Sequence, residues 1–316
     1  SGAFLLIGGV AFTGGLSGLL RSLMRKADIA AKAKTGVRPA EAAPAEIEKL
    51  DGALLRTEGV SKAFGGNQAL SKVSIDAAPG AVTAIIGPNG SGKTTLLNMI
   101  SGFYKTDAGT IELDGKSIQG LSSYRVARAG VSRTFQTPNI PEKLTVFEAV
   151  EAGRYATERA SVFASFLRLP TFWRARTENR AAAERALALV GLSAQRDEPA
   201  DSLPLGNRRL LEVARSLAAS PKVVLLDEVA SGLDEDELEV LESLVRRLRD
   251  AGMTVILVEH NFQLVLSLAD TITVLAHGEV MAAGTPSEIE ANPRVLNEYL
   301  GIEADEETMM EPEGRR

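Results

Sequence analysis

The stretch at residues 82–100 reads VTAIIGPNGSGKTTLLNMI. It opens on a short β-rich run, Val82–Ile86, and closes on a helical pattern that starts near Gly92. Between them stand Gly87, Pro88, Asn89, Gly90, Ser91, Gly92, Lys93 and Thr94, a match to G-x-x-x-x-G-K-[ST]. The spacing has a physical cause. A loop that wraps a polyphosphate must turn successive backbone N–H groups inward, and glycines permit those dihedrals and that close approach. The helix that follows aims the positive end of its dipole at the phosphates. In this reading Lys93 bridges the β- and γ-phosphates as a point charge and the Thr94 hydroxyl ligates Mg2+, with Thr95 beside them in the nucleotide-binding run. The bare pattern arises by chance in roughly one chain of this size in a hundred. The strand before it and the helix after it make an incidental glycine turn rarer still.

Working outward, apolar β runs alternate with helical stretches. Val223–Leu226 precedes a helical pattern over Asp234–Arg249, and Thr254–Val258 precedes one over His260–Leu268. That alternation predicts a parallel sheet with crossover helices. Leu238, Leu241, Leu244, Val245 and Leu248 fall on one helical stripe, Asp234 with Glu237 predicts a capping box, and Gly252 stops the helix. Between about residues 144 and 217 the β runs vanish, and Thr177–Leu192 has helical spacing, which predicts an all-helical insertion.

Val223–Leu226 delivers Asp227 and Glu228 at its C-terminal end, where α/β sheets place ligand chemistry. Asp227 is expected to hold Mg2+ mostly through water, and Glu228 to act as the general base that polarises the attacking water. Alone, such acids read equally well as solvated turn residues; the phosphate loop upstream favours chemistry. Three residues say little singly. His260, after a third apolar run, could contact the γ-phosphate, but such a histidine more often caps or packs. Gln136, in VSRTFQTP, could reach Mg2+ and the water. Phe64, in SKAFGG, could stack on a base or fill a core. His277 reads as a hairpin-turn residue without a role.

Composition bounds the rest. With 45% hydrophobic and 24% charged residues, the 316-residue chain has material for a real core. A net charge of -6 argues against a nucleic-acid partner, which would need a basic surface. The absence of cysteine excludes disulfides and thiolate chemistry. Residues 1–20 carry no charge, and six basic residues against one acid follow by residue 38. This predicts a membrane-type helix over 1–26 with its exit in the cytoplasm, followed by an Ala-, Lys-, Glu- and Pro-rich linker over 27–53. The tail at 302–316 is acidic, poorly patterned and expected to be disordered.

Taken in order, Phe64, Gly87–Thr94, Gln136, Leu203–Asn207, Asp227–Glu228, Ser231–Asp234 and His260 resemble the ABC ATPase family across about residues 54–301. The resemblance implies an α/β fold: a P-loop (RecA-like), mainly parallel sheet with an antiparallel β subdomain and an inserted α-helical subdomain. It implies ATP and Mg2+ as ligands, Phe64 stacked on adenine, Gln136 sensing Mg2+ and the transport domain, and His260 on the γ-phosphate. Leu203, Pro204, Leu205, Gly206 and Asn207 stand where the family has L-S-G-G-Q, a loop that caps the nucleotide of the opposite subunit. Only Leu203 and Gly206 are retained, and Pro204 removes a serine hydroxyl from the phosphate. Ser231, Gly232, Leu233 and Asp234 resemble the loop that communicates between the two sites.

RRLLEVAR, RTFQTPNIPEKLTVFEAV and VEHNFQLVLSLADTITVLAHGEVMAAGTPSEI further resemble the ATPase of branched-chain amino acid uptake systems, while VAFTGGLSGLLRSLMRK resembles the end of their permease. The partners so implied are a second ATPase domain in a homo- or heterodimer, membrane permease subunits and an extracytoplasmic solute-binding protein. The implied location is the cytoplasmic face of the membrane. The alternative is the ATPase of another ABC system, for amide or urea import or for lipid export, since the ATPase does not touch the solute; the other rival readings fit less well. A soluble ABC factor predicts tandem ATPase domains or long coiled coils, a GTPase predicts N-K-x-D, and a non-enzymatic module predicts the loss of Lys93 or Glu228.

Overall fold

The structure, a computed structural model, describes residues 49–134, 143–154 and 170–300. The apolar stretch at 1–26, most of the linker, Gln136 and the tail at 302–316 lie outside them. β1 (Leu55–Phe64) and β2 (Asn67–Ala77) pair antiparallel, with Leu55 opposite Ala77 and Phe64 opposite Asn67 across the Gly65–Gly66 turn. Burial along β2 alternates at Val73, Ile75 and Ala77, so one face of the hairpin is wet and the other meets the core. β3 (Val82–Ile86) leads through the glycine-rich loop into α1 (Lys93–Ile100). β4 (Ala108–Leu113) then returns to pair with the other side of β1, and β5 (Lys116–Ser117) completes a sheet of order β2-β1-β4-β5.

The second sheet carries the site. α2 (Ser123–Ala129) precedes its edge strand β6 (Val131–Arg133). A helical layer follows: α3 (Val146–Ala152), α4 (Pro170–Leu189) and α5 (Leu205–Ala218). The chain re-enters the sheet as β7 (Val223–Asp227), crosses through α6 (Glu235–Asp250) to β8 (Thr254–Val258), and through α7 (Phe262–Leu268) to β9 (Thr271–Ala276). β10 (Glu279–Gly284) folds back on β9 before α8 (Pro286–Glu290) and α9 (Pro293–Leu300). Strand order is β10-β9-β3-β8-β7-β6, parallel throughout except for β10.

Every residue of β3, β7 and β8 is buried, as expected of parallel strands covered on both faces. Alternate residues feed two cores. Ile85, Leu225 and Ile256 pack with Leu96, Leu97 and the antiparallel sheet. Val224, Leu226, Val255 and Leu257 pack with α3, α4, α5 and α6. The expected stripe on α6 is buried at Leu241, Leu244, Val245 and Leu248, and its capping box forms: Asp234 accepts from the Glu237 N–H at 2.8 Å, and Glu237 accepts from the Asp234 N–H at 3.1 Å. The helix expected over 177–192 instead runs Pro170–Leu189. Proline is at home in a first turn, where its missing N–H would have had no partner, and the chain turns away at Gly191, φ 74°.

Candidate functional site

The loop between β3 and α1 turns on backbone that glycine alone adopts easily. Gly92, the residue before α1, has φ 104°, and a Cβ there would strike the Leu70 side chain and lie 2.7 Å from the Ala69 carbonyl. No side chain caps α1, and no acid lies in its first turn, so its N–H groups and dipole stay available to an anion. Lys93 is buried, and its ammonium donates to the carbonyls of Gly87 at 2.7 Å and Pro88 at 3.0 Å. Burial lowers its pKa below the ordinary lysine value, opposed by the charges of Glu228 and Asp227. Ser91 is 2% exposed, and its hydroxyl has no hydrogen-bond partner among the described residues. An orphaned buried hydroxyl is costly unless a ligand oxygen completes it, so this loop fits a phosphate chain.

The loop lines a cleft of about 460 Å3 that also takes in Thr94, Thr95, Glu228 and His277. Glu228, the residue after β7, stands at φ 50°, a left-handed conformation that costs a side chain roughly 1–3 kcal/mol. Its N–H is held by the Val258 carbonyl at 2.9 Å, and its carboxylate accepts from His260 Nε2 at 2.6 Å. Two residues that the sequence separates by |i−j| = 32 thus meet beside the phosphate loop. Asp227 is nearly excluded from solvent, with one carboxylate oxygen paired to the Arg133 guanidinium at 2.8 Å. Among the described residues no cluster of three or more His, Cys, Asp or Glu could cage a metal. A donor set of the Thr94 hydroxyl and the Asp227 carboxylate fits Mg2+, which keeps waters and takes the rest of its shell from phosphate.

Phe64, Leu203–Asn207 and Ser231–Asp234 are not among the residues that line this cleft, though Phe64 pairs with Asn67, which does. Phe64 is exposed at the end of β1, its ring edge-on to Tyr104 with centroids 5.3 Å apart. Gln136 is outside the described residues. Leu203 is buried, and Pro204 opens α5 without a side-chain cap. Leu205 is exposed, and Gly206 lies so close under the Glu237 carboxylate that a Cβ there would overlap it. The Ser231–Asp234 loop runs alongside, Leu205 lying 3.3 Å from where Gly232 would carry a Cβ. Its preceding residue, Ala230, donates its N–H to Glu259 at 2.8 Å. Burial pushes the Glu259 carboxyl up to about 7, against the Ala230 hydrogen bond.

Sequence reasoning missed three residues near the site. Arg133 and Glu259 are joined to it through long-range pairs that no local pattern encodes. His277 sits in the β9–β10 turn, but that turn is docked on the phosphate loop: the Gly278 N–H donates to the Ser91 carbonyl at 3.1 Å. The His277–Gly278 pair between two β runs was the readable signal, and it marks the turn, where His277 stands at φ 50°, rather than the cleft.

Known proteins share this fold. A model of the ABC transporter family matches residues 70–231. The high-affinity branched-chain amino acid transport ATP-binding protein LivG of Escherichia coli K12 is 37% identical over 249 residues, covering 78% of this chain and 98% of LivG. The ADP conformation of MJ1267, an ATP-binding cassette of an ABC transporter, is similar with a TM-score of 0.68 and 32% identity, over 79% of this chain and 99% of that one. The dimeric structure of MJ0796, a bacterial ABC transporter cassette, gives a TM-score of 0.63 at 25% identity, over 73% and 98% of the two chains.

Proposed function

The chain belongs to the ABC transporter family as an ATP-binding, ATP-hydrolysing domain, and on that premise we propose that it powers uptake of branched-chain amino acids through membrane permease subunits. The similarity to LivG along nearly its full length supports that solute class. The dimeric state of MJ0796 supports a working pair of ATPase domains, homo- or heterodimeric. An extracytoplasmic solute-binding protein would deliver the amino acid, and the ATPase would sit on the cytoplasmic face of the membrane. Anchoring by residues 1–26 is supported by their sequence alone; among the described residues no helix is long and apolar enough to cross a membrane.

In the proposed mechanism the backbone N–H groups from Gly87 to Thr94 and the Lys93 ammonium grip the triphosphate, and Phe64 stacks on the adenine. Thr94, Gln136 and Asp227 would hold Mg2+, which supplies charge neutralisation to the β- and γ-phosphates when bound. Glu228 takes the proton of the attacking water while His260 holds that carboxylate and faces the γ-phosphate. The N-terminus of α5, from Leu203 to Asn207, closes over the nucleotide of the opposite subunit, and Ser231–Asp234 touches that subunit's site. Gln136 relays closure to the permease.

The observation that carries this reading is the 2.6 Å pairing of Glu228 with His260 at the rim of the phosphate-loop cleft. Glu228→Gln tests it. ATP turnover should fall at least about 100-fold while ATP binding persists and a dimer accumulates in size-exclusion chromatography. Turnover at the wild-type rate would remove Glu228 from the role.

A further inference from the structure

Arg133 is the last residue of β6, and almost none of its side chain is exposed. Its guanidinium contacts include three to side chains of the site and of α1. One nitrogen donates to Asp227 Oδ2 at 2.8 Å, and another to Asn98 Oδ1 at 2.7 Å and Ser101 Oγ at 3.2 Å. Asn98 lies on α1 and Ser101 ends it, so the contacts reach the far end of the helix whose start faces the phosphates. Thr134, the next residue, adds a second hold. Its hydroxyl accepts from the Asp227 N–H at 3.0 Å, and its own N–H donates to the Leu225 carbonyl at 3.0 Å. Asp227 is thereby fixed at backbone and side chain by two adjacent residues of one strand end, two positions before Gln136 in sequence.

A buried ion pair is a poor source of stability, because desolvation of both charges offsets their attraction. A well-packed apolar pair would do as well for the fold. What the pair provides is geometry. With Oδ2 taken by a guanidinium that is itself clamped to α1, the plane of the Asp227 carboxylate is set relative to the phosphate loop.

We propose that Arg133 is a positioning residue for magnesium-dependent nucleotide capture: it orients the Asp227 carboxylate against the phosphate-loop helix, so that the acid is in place for the hydrated ion. The inference rests on the reading of Asp227 as the magnesium-side acid. It predicts a specific split. Binding through the phosphate loop alone is untouched, while the magnesium requirement of tight binding changes.

The test is equilibrium binding of ADP and of ATPγS to the full chain, titrated with Mg2+ and repeated in EDTA, for wild type, Arg133→Met, Arg133→Lys, Asn98→Ala and Asp227→Asn. Arg133→Met should raise the Mg2+ concentration for half-maximal binding about tenfold and leave affinity in EDTA within about twofold. Arg133→Lys keeps the charge without the fork and should fall between, and Asn98→Ala should shift it about threefold. Should Arg133→Met not fold, as judged by circular dichroism, the lysine and Asn98 variants carry the same comparison. An unchanged magnesium requirement in the folded variants, or an equal loss with and without the ion, overturns the positioning role. A tighter magnesium requirement in Arg133→Met overturns it too, since repulsion would then outweigh orientation. If Asp227→Asn shifts the requirement and the Arg133 and Asn98 variants do not, only this inference falls; if Asp227→Asn leaves it unchanged, the assignment of Asp227 falls as well.

Discussion

Among the described helices whose starts lack a side-chain cap, those of α1 and α5 are finished differently. Around α1 the chain supplies a buried ammonium, an orphaned buried hydroxyl and, across the cleft, the Glu228–His260 pair. Around α5 it supplies an exposed leucine and a glycine lying against a carboxylate of its own chain. Both helix starts could receive an anion through N–H groups and dipole. The first has every other group a phosphate chain needs; the second offers backbone and little else. On the proposed mechanism, a single chain builds the first half of the site, and the second half acts on a partner's phosphate.

Substitutions sharpen that contrast. The largest effect should come from Lys93→Ala, which removes the ammonium proposed to grip the β- and γ-phosphates. ATP affinity measured by calorimetry should drop about 100-fold or more, and the loss should appear in the isolated chain. Gly206→Ala should leave that affinity within about twofold, yet weaken ATP-dependent dimerisation about tenfold in analytical ultracentrifugation, because its Cβ would displace Glu237 and shift the start of α5. Equal losses in both assays for either variant would erase the distinction between the two helix starts.

The smallest effect on turnover is expected from Glu259→Gln, which keeps an oxygen for the Ala230 N–H at the root of the Ser231–Asp234 loop. Its signature lies in pH dependence. The folded protein holds the Glu259 proton up to about pH 7, well above the ordinary carboxyl value of 4.5. The stability this contributes is therefore complete below the unfolded value and is lost as pH rises through about 7. Denaturant unfolding of the wild type should show a decline on the order of 2–3 kcal/mol between pH 4.5 and 8 that the glutamine variant lacks. A decline of equal size in both would place the titration elsewhere.

The fold was legible wherever its signals were local. Val82–Thr94 reads as strand, loop and helix because the residues are contiguous and each obeys its own rule. The cap of α6 was readable from Asp234 and Glu237 three positions apart. The start of α4 was missed by seven residues, since spacing rules find the middle of a helix more easily than a proline in its first turn. In the site, the acids after β7 were legible as the end of an apolar run. Their partners were not: Arg133 reaches Asp227 across |i−j| = 94, and Glu259 reaches Ala230 across |i−j| = 29. Such pairs are products of strand order, which composition and periodicity do not encode. His277 belongs to the same class, brought to the cleft by the docking of a hairpin turn.

The most direct test of the central claim, that one loop grips a triphosphate beside two strand-end acids, is a crystal structure of the Glu228→Gln chain grown with Mg-ATP. The account predicts the phosphates inside the Gly87–Thr94 loop, with Lys93 turned from the Gly87 and Pro88 carbonyls onto the β- and γ-phosphates and position 228 facing the γ-phosphate. Phosphates bound away from that loop, or a Lys93 still held by those two carbonyls with nucleotide present, would contradict it.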